Sequence, residues 1–110
     1  MISYDDFLRV DVRAGTVLAA EPLAGARKPA YVLRIDFGPE IGERRSSAQI
    51  TGRYTPQELV GAQVCAVVNF PPKRIAGVES QVLVLGMDDA DGNVILVRPT
   101  LPVPNGRRLY

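Results

Sequence analysis

The stretch Tyr31-Val32-Leu33-Arg34-Ile35-Asp36-Phe37 decides the fold of this chain. Tyr31, Leu33, Ile35 and Phe37 fall on one side of a period-two pattern and Val32, Arg34 and Asp36 on the other. That predicts a strand whose core face is large, branched and aromatic. Gly38-Pro39 ends it, and Gly42 marks the following turn.

Upstream, Val10, Val12 and Ala14 alternate with Arg9, Asp11 and Arg13. The strand resumes after Gly15 as Thr16-Val17-Leu18-Ala19-Ala20. A glycine inside a strand predicts a bulge or the sharp bend of a small closed barrel. The loop Glu21 to Pro29 carries Arg27 and Lys28. Downstream, Arg44 to Ile50 forms a third, more polar strand with Arg45, Ser47 and Gln49 on one face. That face is either a solvated outer surface or a row of hydrogen-bonding groups for a ligand.

Thr55-Pro56-Gln57-Glu58 is a compact helix start, with Thr55 as cap, Pro56 in the first helical position and Glu58 closing the capping box. Gly61 stops the helix. A fourth strand, Gln63 to Asn69, is apolar on both faces and so buried; a fifth follows at Gln81 to Gly86 and a sixth at Val94 to Val97. Met87 to Asn93 looks superficially like a calcium loop. Aligning Gly92 with the loop glycine puts Met87 and Arg98 where carboxylates are required, so the segment is expected to be a hairpin turn on Asp91-Gly92-Asn93. Three strands, one short helix and then more strands is the element order of an OB-type barrel. The expectation is all-β: an OB-fold five-stranded barrel with one short helix between strands 3 and 4, and short extensions at both ends. An SH3-like barrel is the competitor.

The chain has 110 residues, 46% of them hydrophobic and 23% charged. It is expected to form a single domain over residues 1–110 with a real core. No segment approaches the roughly 18 apolar residues of a membrane span, and no basic-then-apolar leader opens the chain, so a cytoplasmic protein without a membrane span is expected. There is no His and one Cys. Triads of Ser-His-Asp or Cys-His type, disulfides and the usual zinc cages cannot be built; Cys65, within the apolar run Val64 to Val68, is expected to be buried and inert. No catalytic residue, metal site or cofactor is expected, and the chain is not expected to be an enzyme. Net charge is only +1, yet eleven of the thirteen basic residues are Arg. Guanidinium suits phosphates and carboxylates, although a GC-rich genome or a thermophilic host gives the same bias.

Asn69 to Leu85, NFPPKRIAGVESQVLVL, is expected to be a presentation loop leading into the fifth strand. Pro71-Pro72 is a rigid corner, Lys73 and Arg74 follow as adjacent outward cations, and Gly77 allows a tight reversal before Glu79-Ser80. At the N-terminus Ser3 can cap a helix with Asp5 and Asp6 in its first turn. Phe7 and Leu8 give that helix an apolar edge, although it is too short to stand alone. The proline-rich tail from Pro99 to Tyr110 contains Leu101, Val103 and Leu109 and is expected to dock rather than hang free.

Asp11 to Gly15 (DVRAG), Ala26 to Tyr31 (ARKPAY), Ser46 to Thr51 (SSAQIT), Asn69 to Leu85 and the PVPNG ending at Gly106 together give this chain a family resemblance. It resembles the EMAP/methionyl-tRNA-synthetase C-terminal type of tRNA-binding domain. Within that family it is similar to free-standing bacterial members described as export-related molecular chaperones. The resemblance implies an OB barrel, a symmetric homodimer, and partners that are unfolded polypeptides or preproteins, with tRNA as the alternative partner recognised by shape. Lys73, Arg74 and Ser80 match the family's basic-Gly-Ser motif, and Ser47 and Gln49 its polar strand. Phe7, Leu8, Leu101 and Val103 match positions of dimer contact.

For polypeptide binding, Phe70, Ile75 and Val78 would supply an apolar pocket with Lys73 and Arg74 at its rim. For RNA, Lys28, Arg44, Arg45, Lys73 and Arg74, with Arg27, Arg34 and Arg53, would form a basic stripe, and Ser47, Gln49 and Ser80 would meet 2′-hydroxyls or base edges.

Overall fold

The computed structural model describes all 110 residues. In chain order, its elements are α1 (Tyr4–Leu8), β1 (Val12–Pro22), β2 (Tyr31–Asp36), α2 (Gly38–Ile41), β3 (Glu43–Ala48), α3 (Pro56–Leu59) and β4 (Gln63–Val67), then β5 (Lys73–Ile75), β6 (Val78–Ser80), β7 (Leu83–Val84), β8 (Gly86–Asp88) and β9 (Val94–Leu96). The alternation in β2 places Leu33, Ile35 and, just beyond the strand, Phe37 at 0% exposure, the centre of the core. Burying side chains of this size contributes about 1.5–3 kcal/mol each, so this strand fixes which way the sheet faces.

The main antiparallel sheet runs β3-β2-β1-β4-β7. Its β3 edge closes on the segment Ser80 to Val82: Gln81 N–H donates to Arg45 O at 2.8 Å, Arg45 N–H to Gln81 Oε1 at 2.8 Å, and buried Ser46 Oγ to Val82 O at 3.1 Å. With α3 lying in sequence between β3 and β4, this nearly closed barrel is of OB type. The α3 capping box forms as expected, Thr55 Oγ1 accepting from Glu58 N–H and Glu58 from Thr55 N–H, and Leu59 is buried beneath it. The turn expected after β2 is the single helical turn α2.

Gly15 does not break β1. The strand runs through it, and the register shift lies between Val17 and Ala19. Gly15 is needed for space instead: a Cβ there would lie 2.7 Å from Ile35 Cγ2 and 2.8 Å from Phe37 Cδ1. The ring of Phe37 packs where a side chain would otherwise be. The expected fifth strand is also corrected. It divides into β7 in the main sheet and β8, which pairs with β9 instead.

The outer face of β1 and β4 carries a second apolar cluster of Val12, Cys65 and Val67 with Leu85 and Val97. Burial pushes the Cys65 thiol up, which keeps it protonated. The C-terminal tail docks as expected, and it does so through backbone hydrogen bonds and a single antiparallel bridge between Arg108 and Arg13. Ala14 N–H donates to Arg107 O, Gly106 N–H to Ala14 O and Leu109 N–H to Val12 O, at 2.8–3.0 Å, along the part of the β1 edge that β2 leaves free. Gln63 clamps the tail by donating to Val103 O at 2.7 Å and accepting from Val103 N–H at 3.0 Å. Arg13 donates to Asp11 at 2.6 Å and to Gly106 O at 2.9 Å, while Arg108 reaches Leu8 O at 2.6 Å and ties α1 to the tail.

Candidate nucleic-acid and polypeptide interface

On β3 the alternation sends Ser46 into the core and leaves Arg45 and Gln49 exposed with Ser47 half-buried between them. Against this face stands a hairpin where a loop was expected. β5 and β6 pair as Lys73↔Ser80, Arg74↔Glu79 and Ile75↔Val78. Ala76 and Gly77 both have positive φ, 48° and 81°, the two left-handed residues that a tight two-residue turn matching the sheet twist requires. Asn69 anchors the base of the segment, accepting from Asp11 N–H at 3.0 Å and donating to Arg9 O at 2.8 Å.

Because the segment is a strand, neighbours in sequence point to opposite faces. Lys73, Ile75 and Ser80 share one face, and Arg74 shares the other with Glu79. Arg74 is further occupied in donating to Gly77 O at 2.8 Å. The two adjacent cations therefore do not form one patch.

The face bearing Lys73 borders a depression of about 410 Å³ lined by Ser47, Phe70, Lys73, Ile75, Ser80 and Leu83, among others. A second depression of about 550 Å³ shares Ser47 and Ile75 and adds Arg27, Lys28 and Gln49. The two adjoin at Ser47 and Ile75 and together are termed the groove. Eight of the residues expected to bind RNA or polypeptide converge there: Arg27, Lys28, Ser47, Gln49, Lys73, Ser80, Phe70 and Ile75. Phe70 is 52% exposed and Leu83 50%, so the groove keeps an unburied apolar end. Leu83 was hidden in the sequence within the run Val82 to Leu85. Only the alternation of Val82 in and Leu83 out, visible once the strand register is known, separates it from the core.

Other expected residues lie elsewhere. Arg45 and Val78 line a neighbouring depression with Arg34 and Glu21. Arg44 falls on the inward side of β3 opposite Ile35, where its Nη1 donates to Glu43 O at 3.2 Å. Arg53 is held by Asp89 and Asp91 at 2.8 and 3.1 Å and does not line the groove. Ser80, 9% exposed, accepts from Ser47 N–H at 3.1 Å and so holds the hairpin to β3. Phe7 is half-buried with its ring centroid 6.1 Å from that of Tyr4, Leu8 and Leu101 are exposed, and Val103 is half-buried under the Gln63 clamp. No three His, Cys, Asp or Glu side chains come together in a way that would hold a metal ion.

A family model described as "Putative tRNA binding domain" matches residues 12–108. Among solved structures, the chaperone CsaA from Bacillus anthracis is 53% identical, with a TM-score of 0.93, covering 100% of this chain and 99% of that one. The CsaA chaperone protein from Picrophilus torridus is 46% identical with a TM-score of 0.93, and each chain is covered in full. A methionine–tRNA ligase from Porphyromonas gingivalis is 38% identical over 108 residues, which make up 98% of this chain and 15% of that protein. The chain thus spans about 15% of the length of the curated relatives it matches.

Proposed function

The chain belongs to the tRNA-binding domain family, and from that premise we propose that it is a non-catalytic, single-domain binding protein that captures unfolded polypeptides in the groove between β3 and the β5–β6 hairpin. The observation that carries this reading is the exposed apolar end of the groove. Phe70 and Leu83, each about half exposed, flank a depression of about 410 Å³ beside Lys73 in a chain whose full-length likeness is to CsaA chaperones. Polypeptide segments of varied sequence offer apolar side chains and free backbone groups. A groove with an aromatic anchor, a few polar groups and an open end suits them better than one stereospecific pocket would. The export-related role implied by the resemblance and the cytoplasmic location expected from the sequence belong to the same reading. So does a homodimer joined through Phe7, Leu8, Leu101 and Val103, two of which, Leu8 and Leu101, are exposed apolar side chains.

The second reading is tRNA binding, favoured by a specific observation: Arg27, Lys28 and Lys73 line the groove together with Ser47 and Gln49 and have no carboxylate partner. Such cations suit phosphates, and affinity resting on them falls steeply with salt. No ligase chemistry is carried over from the longer relatives.

The two readings separate in one titration. A labelled, reduced unfolded protein and a labelled tRNA are each followed by anisotropy at low and near-physiological salt, with the parent chain, Phe70→Ala and Lys73→Ala. The polypeptide reading expects binding of the unfolded chain to persist at the higher salt and to weaken about tenfold in Phe70→Ala, since roughly half an aromatic side chain's area is lost from contact. Tight tRNA binding at near-physiological salt that is lost in Lys73→Ala, with no binding of the unfolded chain, would make the protein a tRNA-binding module instead.

A further inference from the structure

Three cations and no carboxylate line the groove, with Arg27 and Lys28 in one depression, Lys73 in the other, and Ser47 and Ile75 shared between them. The acids on the surrounding elements are turned away or engaged. Glu79 lies on the opposite hairpin face with Arg74, Glu21 lines the neighbouring depression beside Arg45, and Glu43 is 3.3 Å from Arg34. The ion pairs of the molecule are made by Arg9, Arg13, Arg34, Arg53 and Arg108, which leaves the three groove cations un-neutralised. Apolar side chains with unpaired positive charge in both depressions beside them impose a charge preference on whatever lies there: opposite charges are attracted and like charges are penalised.

We infer that the groove selects apolar polypeptide segments flanked by Asp or Glu and rejects those flanked by Lys or Arg. This rests on the polypeptide reading above and narrows it. A secretory signal peptide is the wrong shape in charge, because its apolar stretch directly follows a positively charged start. The segment held in the groove therefore comes from the interior of a client chain. A preprotein is bound through its mature sequence, and its signal peptide is left free.

Three labelled peptides with one shared apolar core, flanked on both sides by Glu, Ser or Lys, test this by anisotropy with the full chain. The expected order of affinity is Glu, then Ser, then Lys, with about tenfold between the extremes at low salt, narrowing as salt rises. The double variant Lys28→Glu/Lys73→Glu changes two exposed side chains with no partner in the protein, and it is expected to reverse the order. Equal affinity for the three peptides, or an order that the double variant leaves unchanged, overturns the charge preference while polypeptide binding stands. If the double variant fails to fold, the order measured on the parent chain decides alone. Should none of the peptides bind, and the unfolded protein fail to bind as well while tRNA does, the polypeptide reading itself falls.

Discussion

The side of the barrel that receives the C-terminal tail and the side that carries the groove use the same kinds of residue in opposite ways. Along the tail, Asp11, Arg13, Gln63, Asn105 and Arg108 all spend their polar groups on the protein itself. Along the groove, Arg27, Lys28 and Lys73 have no internal ionic partner, and Phe70 is left half exposed. Charge and apolar surface left unmatched by the fold are what remains for a ligand; charge already matched belongs to stability. Substitutions on the tail side should therefore change unfolding with little effect on binding, and substitutions on the groove side should do the reverse.

The largest effect is expected at Gly106. Its φ is 91°, and a Cβ there would lie 2.5 Å from Phe37 O. Gly106→Ala is expected to cost about 2–3 kcal/mol by urea unfolding and to speed tryptic cleavage after Arg107 and Arg108, with peptide affinity of the folded protein unchanged. Gln63→Ala comes next. It removes both halves of the clamp on Val103 and leaves a partly buried N–H and C=O unpaired, for a loss of about 1–2 kcal/mol in the same measurement. Phe70→Ala is the groove-side counterpart, expected to move unfolding by less than about 0.5 kcal/mol. A larger loss of stability there would mean that Phe70 is structural and would dissolve the contrast between the two sides.

The smallest effect concerns the β8–β9 turn, which lies on neither side. Asp89 accepts from the backbone N–H of Asn93, faces Arg53 and accepts from Asp91 N–H, and these hold its carboxyl below the ordinary 3.8. A carboxyl lower in the folded state than in the unfolded chain stabilises the fold above its ordinary value, and that contribution disappears as the pH falls through the lowered one. The Asn93 and Asp91 amide resonances should therefore stay in place at a pH where an ordinary carboxylate is half protonated, and shift only in stronger acid.

Much of the barrel was legible from period and punctuation. The inward set of β2, the Thr55–Glu58 cap and the Gly92 turn all depend on neighbours within a few residues, where sequence patterns carry the physics. The β5–β6 hairpin did not show itself, because three-residue strands are too short to display a period, and without a strand Lys73 and Arg74 read as one patch. Gly15 was misread for a related reason: the requirement for no side chain is set by Phe37, a residue on another strand. The tail's pairing was equally silent. Pro99, Pro102 and Pro104 mask any alternation, and only the vacant edge of β1 explains why the chain after them hydrogen-bonds there. Of the site, the groove members Arg27, Lys28, Ser47, Gln49, Lys73, Ser80, Phe70 and Ile75 were named from the sequence, while the orientation that excludes Arg44 and Arg74 depended on register.

The tail's pairing with β1 also sets a schedule for the newly made chain. Arg13 and Gly106 are 93 positions apart in sequence yet share a hydrogen bond, so the edge of β1 from Val12 to Ala14 stays bare until the residues between them have been translated. At about 5–20 residues per second that interval is on the order of ten seconds, during which a nascent chain exposes an unpaired strand edge. The edge of β1 waits for a partner about ninety residues downstream, and the interval between their syntheses is when that edge is most exposed to mispairing with neighbours on a polysome.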